Sequence, residues 1–95
     1  MKKNKACRRT VIDAVDGDTF ITKRKVNGSN YIRVQGLDTP EKKEKGYSKA
    51  KNALNRLVKN KTVTLTPVGR SYGRTVAKVS VNRQNVAKEM TRYSK

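Results

Sequence analysis

The chain has 95 residues, 24 of them Lys or Arg against seven Asp or Glu, for a formal charge of +17; 34% are hydrophobic, with one Phe and no Trp. That length allows one small domain burying about 60–65% of its unfolded surface, and charge this lopsided indicates a polyanion partner, DNA or RNA ahead of anionic membrane. No apolar run approaches the roughly 20 residues of a membrane span, and the absence of His removes the commonest general base, the commonest zinc ligand and every Ser–His or Cys–His nucleophile pair.

Residues 1–9 read as a basic tail before a single domain over 10–95. Met1-Lys2-Lys3-Asn4-Lys5 has the charge of a secretory-signal head, but no apolar stretch of 7–15 residues follows. A cytoplasmic protein and the processed form of a secreted one fit equally. Cys7 stands alone and cannot close an intrachain disulfide. Thr10 to Val15 is rich in β-formers. Asp16-Gly17-Asp18 then reads as a turn or bulge before a second strand from Thr19. Asn27-Gly28 is the strongest short hairpin signal and divides that strand from a third, Tyr31 to Leu37.

Beyond Pro40, residues 41–46 read as a solvated loop. Tyr47, Ala50, Leu54, Leu57 and Val58 recur at helical spacing and predict an amphipathic helix. Val63 and Leu65 mark a fourth strand expected to stop at Pro67. Ala77, Val79 and Val81 alternate in a fifth, and a short helix is expected over about 84–93. Three strands, a helix, two strands and a terminal helix fit a mainly β, α+β fold: a five-stranded Greek-key barrel of the OB type, which presents one face and its loops to oligonucleotides. A ferredoxin-like sandwich needs a helix after the first strand, and 16–22 offers none.

Four of the seven acidic residues fall in two short segments, Asp16-Gly17-Asp18-Thr19 and the stretch from Tyr31 to Glu41. Carboxylates weaken phosphate binding unless they hold a hard cation against the phosphate. Asp18 and Asp38 each follow a strand, and with the Thr39 carbonyl and water they make a weak, open calcium site. Alone, either segment is better read as ordinary turn chemistry; together, with Glu41 three residues past Asp38, that reading weakens. Glu41, aimed by Pro40, is the best candidate for a base on the attacking water. Arg33 lies in an otherwise apolar and aromatic strand, and Arg74 opens the fifth. Two guanidiniums can clamp one phosphate and stabilise its developing charge. Arg33 and Asp38 have opposite strand parity, so both reach one site only if the pleat breaks, and Gly36 is the natural place. Arg70 reads as a steering charge only.

Val15-Asp16-Gly17-Asp18-Thr19, Arg33 five residues before Asp38-Thr39-Pro40-Glu41, and Tyr72-Gly73-Arg74 together resemble the thermonuclease family typified by staphylococcal nuclease. The similarity runs over about 10–92. It implies an OB-type barrel and a calcium-dependent phosphodiesterase that breaks the bond to the 5′-oxygen and leaves 3′-phosphate ends. By position, Asp18, Asp38 and the Thr39 carbonyl resemble the calcium ligands, Glu41 the general base, and Arg33 and Arg74 the catalytic arginines. Tyr72 resembles a phosphate-contacting tyrosine and Asp16 a nearby supporting acid. Ser71 stands where the family has a phosphate-binding lysine, and base-contacting tyrosines would lie beyond position 95. The expected partner is DNA or RNA, with no membrane, acted on by a monomer. The rival readings are a non-catalytic OB module that binds nucleic acid by charge and a basic ribonucleoprotein component. Neither has a physical need for this grouping of acids and arginines.

Overall fold

Three tight turns set the register of the sheet. Asn27-Gly28, Tyr72-Gly73 and Asn82-Arg83 all have positive φ, the conformation in which a two-residue loop twists in the same sense as its flanking strands. In the computed structural model, which describes residues 5–95, they join β2 (Thr19–Val26) to β3 (Ser29–Val34), β4 (Thr62–Ser71) to β5 (Arg74–Val81), and β5 to the two-residue β6 (Gln84–Asn85). β1 (Cys7–Asp16) precedes them, and helix α1 (Tyr47–Val58) links β3 to β4.

Strand order is β3-β2-β1-β4-β5, and β3 returns to pair with β5. Four antiparallel junctions reverse the chain four times, so β3 and β5 run the same way. Their closing pair is therefore parallel, from Ile32↔Thr75 to Val34↔Ala77. Closure into a five-stranded OB-type barrel leaves no long edge to recruit another chain. Phe20, Ile32, Val34 and Leu65 fill the interior with Leu54 and Val58 of α1, all fully buried. α1 also repairs β1 where that strand slips register against β2: Asn55 Oδ1 accepts from Ala14 N at 2.9 Å, and the Tyr47 hydroxyl donates to Val15 O at 2.8 Å.

Four boundaries differ from the sequence reading. Residues 1–4 of the expected tail lie outside the described residues, and Cys7 to Arg9 already pair with Leu65, Thr64 and Val63 of β4. β3 ends at Val34 rather than Leu37, because Gly36 at φ +82° leaves the extended region. β4 passes through Pro67, which sits at a register shift before Gly69; a bulge tolerates the missing N–H that a regular ladder would not. The expected terminal helix is divided into β6, a single turn α2 (Val86–Glu89) capped by Asn85 Oδ1, and a 3₁₀ turn (Thr91–Tyr93).

Candidate active site

Asp18 is placed by a turn with no room for a side chain before it. A Cβ on Gly17 would lie 2.5 Å from Ala50 Cβ and 2.6 Å from Thr39 Oγ1. Only glycine lets the β1–β2 turn pass beneath α1 and against Thr39. The carboxylate of Asp18 is thereby buried, at 4% exposure. Its Oδ1 accepts from the Thr19 hydroxyl at 3.0 Å and its Oδ2 from Thr39 N at 3.2 Å.

Arg33 approaches from the end of β3. Its Nη2 stands 3.7 Å from Asp18 Oδ2 and 3.8 Å from Asp38 Oδ1, and donates to Leu37 O at 3.0 Å. The left-handed turn at Gly36 brings Asp38 back onto the Arg33 side despite opposite strand parity. Asp38 leaves its carboxylate largely in solvent, while its carbonyl accepts from Ser94 Oγ and Lys95 N. Arg74 enters from the other flank: Nη1 donates to Thr19 Oγ1 at 3.2 Å and Nε to Ser71 O at 3.3 Å. Thr19, 1% exposed and directly opposite Arg33 in the β2–β3 ladder, therefore connects Arg74 to Asp18. Sequence reasoning passed over it. The available signal was its place immediately after Asp18, where a hydroxyl has no packing advantage over valine.

Electrostatics separate the paired acids. Burial alone would push Asp18 up, but the bond shared with Asp16, the Thr39 N–H, the Arg33 guanidinium and the Thr19 hydroxyl outweigh it and hold its carboxyl below the usual range. Asp16, half-buried, accepts from Asp18 N at 3.0 Å. Burial, and then its bonded acidic neighbour Asp18, push it up to about 6. One carboxylate stays charged while its neighbour holds a proton more readily.

Glu41 is exposed, and its carboxylate makes no salt bridge among the described residues. Its backbone N donates to Glu44 Oε1 at 2.6 Å, and that same oxygen meets Lys95 Nζ at 3.0 Å. Tyr72 is the hairpin tip and 96% exposed. Arg70 is more than a steering charge: Nη1 donates to Asn27 O at 2.6 Å and ties the β4–β5 hairpin to the β2–β3 hairpin. The fold thus gathers Asp18, Asp38, Thr39, Arg33 and Arg74, with Glu41 and Tyr72 standing in solvent.

Among the described residues, no three Asp, Glu, His or Cys side chains gather as a ready-made metal cluster. What does converge is hard oxygen: two carboxylates, one buried and one open, beside Thr39, whose buried hydroxyl has no hydrogen-bond partner. That donor chemistry fits a hard cation that takes its remaining ligands from water or substrate.

The model of the family described as "Staphylococcal nuclease homologue" matches residues 31–93, and the chain belongs to that family. The matched span contains Arg33, Asp38, Thr39, Glu41, Tyr72 and Arg74; Asp18 lies before it. The chain is also 36% identical over 92 residues to a Haemophilus influenzae protein named "Uncharacterized endonuclease". Those residues are 96% of this chain and 51% of the relative, so the chain spans about half of that protein's length. No described helix is long and apolar enough to cross a membrane.

Proposed function

We propose that the chain is a calcium-dependent nuclease that hydrolyses phosphodiester bonds of DNA or RNA as a monomer and leaves 3′-phosphate ends. The observation that carries this reading is that two guanidiniums reach one buried carboxylate by separate routes, Arg33 directly and Arg74 through Thr19. A module that only bound nucleic acid would gain nothing from a buried acid there. The family match and the name of the relative support the nuclease part of this reading.

Asp18, Asp38 and the Thr39 carbonyl would hold the ion, which when bound supplies positive charge to a phosphate oxygen and to the attacking water. Asp18 is suited to this because its carboxyl stays ionised. Arg33 holds both carboxylates only loosely, beyond hydrogen-bond distance, and spends one firm bond on Leu37 O. Most of its five N–H donors remain for a phosphate. Arg74, anchored by Ser71 and Thr19, offers its remaining N–H groups to the same group, so that charge building on the equatorial oxygens meets preorganised donors. Glu41, at the solvent-facing rim, takes a proton from the water that attacks phosphorus. The bond to the 5′-oxygen breaks and that oxygen takes a proton from solvent, leaving a 5′-hydroxyl and a 3′-phosphate.

Plasmid DNA and total RNA, incubated with calcium or with chelator, test the reading. Cleavage is expected with calcium and not with chelator, and magnesium should substitute poorly because it demands stricter geometry. Glu41→Gln should bind equally and cut about 10²–10⁴-fold more slowly. Full activity in excess chelator would overturn the metal assignment. Undiminished cutting by the variant would remove Glu41 from the mechanism.

A further inference from the structure

A second basic site lies at the end of β1 and β2 remote from Asp18. Along β2, Lys23, Arg24 and Lys25 are all exposed in succession, whereas a regular strand would turn one of three neighbours inward. The ladder to β3 lapses between Ile21 and Val26, and side chains take over its backbone groups. The buried Thr22 donates its hydroxyl to Arg24 O at 2.7 Å, and Asn30 Nδ2 donates to Thr22 O at 2.9 Å. Such an irregularity re-aims side chains, and here it turns three consecutive cations toward solvent.

β1 supplies the other wall. Arg9 lies two residues before Val11, which pairs with Thr22 of β2, and its Nε donates to Lys25 O at 3.3 Å. The groove between them, about 260 Å³, is lined by Arg8, Arg9, Thr10, Lys23, Arg24 and Thr62. No acid lines it, and none of its four cations makes a salt bridge among the described residues. Like charges held this close repel one another, and a polyanion relieves that repulsion.

We propose that this groove is an exosite for the phosphate backbone of a nucleic-acid duplex, separate from the cleavage centre; the assignment of its ligand rests on the nuclease reading above. From Arg9 to Asp16 β1 advances seven residues, roughly 23 Å at ~3.3 Å each. Along one strand of a duplex that is about seven phosphates at 3.4 Å. A duplex shorter than this reaches one site at a time, while a longer one engages both, and the second contact becomes intramolecular. The groove therefore favours long polymers without touching the reacting phosphate.

The test compares hairpin duplexes of about 5 and 20 base pairs, with binding read by fluorescence anisotropy across a salt series in chelator. The exosite triple Arg8→Gln/Lys23→Gln/Arg24→Gln is set against Lys78→Gln/Arg83→Gln/Lys88→Gln, which removes equal charge from exposed positions elsewhere. On the long duplex the exosite triple should lower the salt slope by roughly 2–3, at about 0.9 per lost phosphate contact, and weaken binding about 10–100-fold at low salt. On the short duplex it should change affinity less than about threefold, and the control triple should change both only weakly. Arg24→Gln alone should lower the slope by about 1, which keeps the test decisive if the triple unfolds. Equal weakening by the two triples, or equal loss on both lengths, would overturn the exosite. A parent protein that binds but never cuts with calcium would refute the hydrolytic reading and leave the exosite standing.

Discussion

Replacing Thr19 by valine tests whether Arg74 acts on the same centre as Asp18. The Thr19 hydroxyl gives one hydrogen bond to Asp18 Oδ1 at 3.0 Å and accepts one from Arg74 Nη1 at 3.2 Å, at 1% exposure. Valine fills nearly the same volume and makes neither bond. A hydrogen bond to a charged group contributes about 1.5–3 kcal/mol. Asp18 keeps the Thr39 N–H and Arg33, so the lower end applies: about 1.5–2 kcal/mol of stability, a fall in Tm of roughly 6–16 °C for a domain this size. Arg74 keeps its bond to Ser71 O but loses the contact that aims it inward. We expect kcat on duplex DNA to fall about 10–100-fold, equivalent to ~1.4–2.7 kcal/mol at 1.36 kcal/mol per decade, with affinity nearly unchanged. Thr19→Ser retains the oxygen and should recover most of the rate. Arg74→Lys in the parent should cost about a hundredfold, and in the Thr19→Val background less than about tenfold, because the guanidinium has already lost its aim. A Thr19→Val variant within twofold of the parent rate, or two losses that multiply independently, would refute the relay.

Two further outcomes follow from packing and charge. Gly17→Ala places a Cβ 2.5 Å from Ala50 Cβ and 2.6 Å from Thr39 Oγ1; overpacking of this kind costs about 1–3 kcal/mol or more, so circular dichroism should show Tm lowered by at least ~4 °C, and a smaller fall would mean that the turn adapts freely. Asp16 titrates at about 6 against an ordinary 3.8, so the folded state binds its proton more tightly than the unfolded chain and stability falls as pH rises from about 4 to 6. Solvent screening of this half-exposed group leaves a penalty on the order of 1 kcal/mol above pH 6. Asp16→Asn should therefore raise Tm in chelator at pH 7.5 and match the parent near pH 4; an equal gain at both pH values would show that the effect is not electrostatic.

Local features were legible because their causes are local. Asn27-Gly28 tolerates positive φ, so its hairpin forms where the sequence places it. The spacing of Tyr47, Ala50, Leu54 and Val58 sets one face of α1 whatever it packs against. Gly36 was the one point between Arg33 and Asp38 able to break the pleat, and it does. Pro67 misled, since a proline reads as a strand end unless a bulge, visible only in the paired register with β5, excuses its missing N–H. Thr22 and Asn30 gave no sign that they would replace a stretch of ladder and expose three cations in a row.

Sequence by itself determined the strongly basic charge, the inventory of carboxylates and guanidiniums without His, and the five-stranded barrel, because net charge, residue inventory and hydrophobic period are properties of the chain before it folds. The tertiary structure decided which of these groups meet. Asp18 and Arg74 are 56 positions apart, and no local rule couples them. They are joined only because Gly17 lets the β1–β2 turn pass under α1, and because closure of the ring sets β5 beside β3, where one buried threonine hydroxyl can touch both.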